Sequence, residues 1–127
     1  MIGYVTLGTN DFDKAAAFYD TITAVMGGKR TMEGDTFIAW GNDPKQAAVS
    51  IIKPNDGKAA TAGNGMMVAL VVDSQELVDQ IHAAAMAAGG ADEGAPGERF
   101  PGFYAGYFRD LDGNKLNAFC MSQAEQG

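Results

Sequence analysis

The pattern that opens the chain returns 63 positions later (67 − 4 = 63): Tyr4-Val5-Thr6-Leu7 is matched in character by Met67-Val68-Ala69-Leu70. The helix-like stretch after each keeps that offset, with Ala15, Phe18, Tyr19 and Ile22 answered by Val78, Ile81, His82 and Ala85. A glycine pair closes each run, Gly27-Gly28 and Gly89-Gly90. A repeated strand-helix unit of this size demands two copies of one supersecondary structure packed together, and it directs attention to the space between them. At 127 residues the chain is expected to form one domain, 1–127, with a real core and no second unit.

Each half reads as strand, helix and three strands. Residues 2–8 alternate and are β-rich. Asn10, Asp11 and Asp13 cap a helix carrying Phe18 and Ile22 inward until the glycines stop it. Three β-prone runs follow, Lys29 to Met32, Thr36 to Trp40 and Ala47 to Ile52, separated by turn-forming Glu33-Gly34-Asp35 and Gly41-Asn42-Asp43-Pro44. This is module one, about 1–54. A Gly-, Ala- and Asn-rich linker, about 55–64, leads to module two, about 65–122. There, Met66 to Val72 is a strand, and Asp73-Ser74-Gln75-Glu76 heads a helix expected to turn Leu77, Ile81, Ala84 and Ala88 inward. Ala91 to Gly102 holds one poorly defined strand, and Phe103 to Arg109 and Lys115 to Met121 flank a hairpin turn at Asp110-Leu111-Asp112-Gly113-Asn114.

The formal charge of −7 disfavours phosphate backbones and anionic lipid surfaces, so neither nucleic acid nor membrane is an expected partner, whereas a cationic ligand would be attracted. No apolar run reaches transmembrane length and the start lacks a secretory leader pattern, which places the protein in the cytoplasm. Cys120 is the only cysteine; its alternation with Leu116 and Ala118 reads as an inert core thiol.

Two βαβββ modules closed by Tyr107-Phe108-Arg109-Asp110-Leu111-Asp112-Gly113-Asn114-Lys115-Leu116 resemble the vicinal oxygen chelate superfamily of glyoxalases, bleomycin-resistance proteins and extradiol dioxygenases. The opening Gly3-Tyr4-Val5-Thr6-Leu7-Gly8, the Ala16-Ala17-Phe18-Tyr19-Asp20 segment and Gly63-Asn64-Gly65 carry the same resemblance. It implies an α+β fold in which two βαβββ modules form a curved mixed-sheet cup with helices outside. It also implies four metal-ligand positions, which here correspond to Tyr4, Ser50 (or Ile51 if that strand slips by one), Met67 and Asn117. None is a good hard-metal ligand: tyrosine would have to ionise from a pKa near 10, neutral Asn donates weakly, and thioether suits soft metals. His82, the only histidine, belongs to the second helix and reads as a boundary or surface residue outside the cup. No metal, cofactor or catalytic residue is assigned.

Strand alternation sends Val5, Leu7, Val68, Leu70, Leu116 and Ala118 toward the helices and Tyr4, Thr6, Met67, Ala69, Asn117 and Phe119 into the concavity. With Ser50, and with Trp40, Tyr104 and Tyr107 as walls, these give the expected ligand-binding set: Tyr4, Thr6, Trp40, Ser50, Met67, Tyr104, Tyr107, Asn117 and Phe119. Phe103 is a further possible wall residue. Tyr4 and Asn117 are expected to bond each other if both are buried. Arg99 could orient a carboxylate, while Arg109 is expected to pair with Asp110 or Asp112. The leading functional expectation is a metal-independent protein that binds a small organic ligand in the cup. The alternatives are a lyase, isomerase or dioxygenase with an unusual or metal-free site, and a dimeric regulatory module; a homodimer is expected in each case because half-cups leave strand edges open.

Overall fold

The computed structural model describes residues 1–122. Module one runs β1 (Tyr4–Gly8), α1 (Phe12–Val25), β2 (Lys29–Glu33), β3 (Phe37–Gly41) and β4 (Ala48–Ile52); module two repeats it as β5 (Val68–Val71), α2 (Gln75–Ala87), β6 (Ala91–Phe100), β7 (Phe103–Arg109) and β8 (Lys115–Met121). Each module builds its own four-stranded mixed sheet, in the orders β1-β4-β3-β2 and β5-β8-β7-β6. In both, the first strand runs parallel to the last and the others pair antiparallel. The duplicated α+β plan read from the sequence is therefore the architecture, and β1 and β5 are edge strands.

The helices start and stop for matching local reasons. The Asp11 carboxylate accepts from the Lys14 backbone N–H at 3.1 Å, and the Ser74 hydroxyl accepts from that of Leu77 at 3.2 Å, satisfying helix-end donors that would otherwise be unpaired. At the other end Gly27 and Gly89 take positive φ, 78° and 99°, and the next amide bonds back into the helix: Gly28 to the Thr23 carbonyl, Gly90 to that of Ala85. A side chain at Gly90 would meet the Arg109 and Ala85 carbonyls within 2.9 Å, so the second glycine is required by packing.

Both helices cover one face of their own sheet and also touch each other. Phe18, Tyr19, Ile22, Trp40, Ile51, Val78, Ile81, Phe108 and Leu116 are essentially fully buried in this shared core. Burying each of these large side chains contributes roughly 1.5–3 kcal/mol. The fully buried residues of α2 are Val78, Ile81, His82 and Ala85; of the row that helical spacing predicted, Ile81 is buried, Ala84 and Ala88 are partly buried against the core, and Leu77 is partly exposed. The 63-residue repeat had already matched the correct four to the buried Ala15, Phe18, Tyr19 and Ile22. His82 is accordingly buried rather than on the surface, and its Nε2 lies 3.0 Å from Asp92 Oδ1. Ten residues separate that pair, as they do Asp20 and Arg30 in module one, and each pair ties a helix to the outer strand of its sheet.

The poorly defined stretch is the ten-residue β6, whose pairing with β7 shifts register between Asp92 and Gly94, between Gly94 and Gly97, and between Glu98 and Phe100. Such bulges hide the alternation by which a strand is recognised. Asp110, in the β7–β8 turn, clasps the modules together. Its carboxylate accepts from the Tyr19 hydroxyl at 2.7 Å, from Asn114 Nδ2, and from the backbone N–H groups of Asp112 and Asn114. Asn114 Nδ2 also donates to the Gly8 carbonyl, and the Asn10 amide donates to Asp112. Burial, then the Asp110 charge, hold the Tyr19 phenol well above its ordinary pKa, so it stays a donor. Among the described residues no helix is long and apolar enough to cross a membrane.

Candidate functional site

The face of each sheet turned away from the helices is open, and the strand registers assign its residues. In module one Thr6 pairs with Ser50 and Ser50 with Ala39, so these three share the open face, with Tyr4 beside Ala48 at its end. The Ser50 hydroxyl donates to the Val5 carbonyl at 3.2 Å and lies 2.7 Å from Thr6 Oγ1, so the two hydroxyls satisfy one another. Ile51 points to the helices, which fixes the fourth-strand register at Ser50. Tyr4 is 69% exposed and makes no bond to Asn117, which belongs to the other sheet.

In module two Ala69 pairs with Asn117, and Asn117 with Tyr107; Val71 pairs with Phe119, and Phe119 with Ala105. Phe103, one pair further along, stacks on Phe119 at 5.4 Å between ring centroids and on Phe100 at 4.7 Å. The Tyr107 ring carries Arg99 at 5.2 Å and Lys115 at 5.6 Å. Between these features Asn117 is only 2% exposed, and its carbonyl oxygen is buried without a hydrogen bond from any described residue. An acceptor left unsatisfied in a buried site costs roughly 1–3 kcal/mol.

Two residues expected in the wall lie elsewhere. Trp40 is 1% exposed on the helix side of β3, packed on Tyr19 and donating Nε1–H to Asp20 at 2.8 Å. Tyr104 pairs with Cys120 on the helix side of β7 and β8, where its hydroxyl donates to Asp79 at 2.6 Å; that bond raises its pKa, with burial adding to it. Burial also pushes the Cys120 thiol up, away from the reactive thiolate. Arg109 pairs not with Asp110 or Asp112 but with Glu93 at 3.4 Å, and donates to the Gly113 carbonyl. Thr6 and Ser50 are brought together on one sheet, and Tyr107, Asn117 and Phe119 on the other, with Met67 just before β5 and 44% exposed. Phe100 and Lys115 were not foreseen, although Lys115 alternates with Asn117 and Phe119 along β8.

The molecule carries two depressions. A cleft of about 1490 Å³ runs between the modules, bordered by Val5, Trp40, Val49 and Met26 on one side and by Met66 to Asp73 on the other; Thr6, Ser50, Tyr107, Asn117 and Phe119 do not line it. A smaller one of about 590 Å³, formed by Ala62 to Met67, Arg109 and Lys115, lies at the cationic end of module two.

The resemblance to metalloenzymes implies a metal, and the donor set does not fit one. The four corresponding positions hold a phenol, a hydroxyl bonded to Thr6, a thioether and a neutral amide. Among the described residues no cluster of three or more His, Cys, Asp or Glu is placed to hold an ion.

Residues 1–118 match the model of the Glyoxalase/Bleomycin resistance protein/Dioxygenase superfamily. The chain is 32% identical to a glyoxalase/bleomycin resistance protein of Albidiferax ferrireducens T118, with a TM-score of 0.89 over 96% of this chain and 99% of that one. A hypothetical protein from S. aureus is 28% identical, with a TM-score of 0.72 over 94% and 92%. A lactoylglutathione lyase from Agrobacterium tumefaciens shares the fold, with 19% identity and a TM-score of 0.67 over 94% and 92%. Among curated proteins none matches the sequence. On the family match and the full-length similarity together, the chain belongs to the glyoxalase/bleomycin resistance protein/dioxygenase superfamily.

Proposed function

We propose that this protein binds a small organic ligand in the cup between its modules without a metal, and that the open face of module two supplies the recognition surface. The buried carbonyl oxygen of Asn117, without a hydrogen bond from any described residue and beside Tyr107 in the sheet register, carries this reading. A stability-only role would favour an apolar residue there, since filling the site with carbon removes the desolvation cost. A ligand O–H or N–H reaching Asn117 after a shift of the Lys115 or Tyr107 side chain would recover it. Aromatic walls with few polar groups are the usual make-up of a small-molecule site. Tyr4, the residue available for metal-free proton transfer, is exposed and has no hydrogen-bond partner among the described residues, so no neighbouring side chain positions it for proton transfer.

The unpaired edges of β1 and β5 favour a homodimer. The Met66-Met67-Val68-Ala69-Leu70-Val71-Val72 run is apolar throughout, and β5 is partly exposed on both faces, which leaves a strand edge that a second copy would cover.

The test is calorimetry on chelator-treated protein against aromatic acids, amines and neutral aromatics, with light scattering for the oligomer. Saturable binding by at least one class, unaffected by added Zn²⁺, Ni²⁺ or Fe²⁺, is expected. Absence of binding at millimolar ligand, or binding only with added metal, would overturn it.

A further inference from the structure

The charge on the open face of module two is opposite to that of the molecule. The chain carries −7, yet Arg99, Arg109 and Lys115 all reach this face, and only Arg109 has a carboxylate partner there, Glu93. Arg99 is held by the Ala95 and Gly97 carbonyls at 2.7 and 3.0 Å, which fixes its guanidinium over Tyr107 without neutralising it. Lys115 forms no ion pair among the described residues and borders the 590 Å³ depression.

The face is also graded along the strands. Phe103 and Phe119 lie at one end, Tyr107 and Asn117 in the middle, Arg109 and Lys115 at the other. Phe119 lies four positions along β8 from Lys115, roughly 13 Å at the rise of a strand. A flat apolar body would lie on the phenylalanine stack while a negative head meets the cations. A cationic ligand, which net charge alone favours, would be repelled at this point.

We infer that the ligand class is a planar aromatic acid, with its ring on Phe119 and its anionic group on the Lys115 and Arg99 cations that gather over Tyr107. The inference rests on the ligand-binding reading above and adds the sign of the charge. The probes are three naphthalenes of one shape, 2-naphthoate, 2-naphthamide and 2-naphthylmethylammonium, titrated calorimetrically into the full chain at low and high salt. The carboxylate should bind about tenfold or more tighter than the ammonium, with the amide between, and the gap should narrow as salt rises. Lys115→Gln should shrink the preference and Lys115→Glu should reverse it, each variant first shown by thermal melting to be folded. Equal or tighter ammonium binding, or an order unchanged in both Lys115 variants, would overturn the aromatic-acid assignment and leave small-molecule binding standing. Binding by none of the three would overturn both.

Discussion

At the centre of module one's open face Thr6 and Ser50 bond each other at 2.7 Å, whereas at the corresponding place in module two Ala69 lies beside Asn117, whose carbonyl oxygen has no hydrogen-bond partner among the described residues. The strand pairing is the same in both: first strand parallel to last, with the third strand beyond it. What differs is the chemistry laid on it. Module one's face is small and internally satisfied; module two's is aromatic, cationic and holds an unmet acceptor. One scaffold is used twice, and the copies divide between a face whose polar groups satisfy one another and a face that is left with an acceptor unpaired among the described residues.

The largest predicted effect strikes what both modules share. Asp110→Ala would strand the buried Tyr19 hydroxyl and two backbone donors, and is expected to lower unfolding stability by about 3–5 kcal/mol in urea denaturation. A loss under about 1 kcal/mol would show that the modules are not held by this clasp. Next, Phe119→Ala should weaken 2-naphthoate binding about tenfold in calorimetry, as the loss of an aromatic platform does. Ile52→Ala, on the last strand of module one, should change it less than about twofold on the same measure. Equal losses would erase the distinction between the faces.

Ser50 and Asn117 sharpen it further. Ser50→Ala removes a satisfied hydrogen bond and should cost about 1 kcal/mol by chemical denaturation with no change in ligand affinity. Asn117→Leu removes an unsatisfied oxygen from a buried site and should be neutral or stabilising, while a hydroxylated aromatic acid such as 6-hydroxy-2-naphthoate binds more weakly. The smallest effect concerns acid. Hydrogen bonds from Arg30 and Trp40 hold the Asp20 carboxyl below its usual range, and the Gly94 amide and then His82 do the same for Asp92. The folded state therefore binds fewer protons than the unfolded one just below about pH 4, and stability falls as pH drops through the depressed values. Asp20→Asn should flatten that acid limb in melts taken from pH 5 to 2.

The repeat made the fold legible because two copies check each other. Spacing within α2 alone selected Leu77, Ala84 and Ala88, while alignment with α1 selected Val78, His82 and Ala85, which are the buried ones. The site was less legible because alternation was not carried through every strand. Tyr104 and Tyr107 are three residues apart on β7, so they face opposite ways; only Tyr107 shares a side with Asn117. Trp40 follows Ala39, which pairs with Ser50, and so turns to the helices. The phenylalanine stack was hidden by the bulges of β6, whose glycines and Pro96 read as a loop. That Asn117 would be buried and unpaired depends on the three strands around it, which no local pattern encodes.

The most direct measurement is a two-dimensional NMR titration of chelator-treated protein with 2-naphthoate. Saturable shifts are expected, largest at Tyr107, Lys115, Asn117 and Phe119, including the Asn117 side-chain amide, with much smaller ones at Thr6 and Ser50. Shifts largest on module one's face, or appearing only after a divalent metal is added, would contradict metal-free recognition by module two.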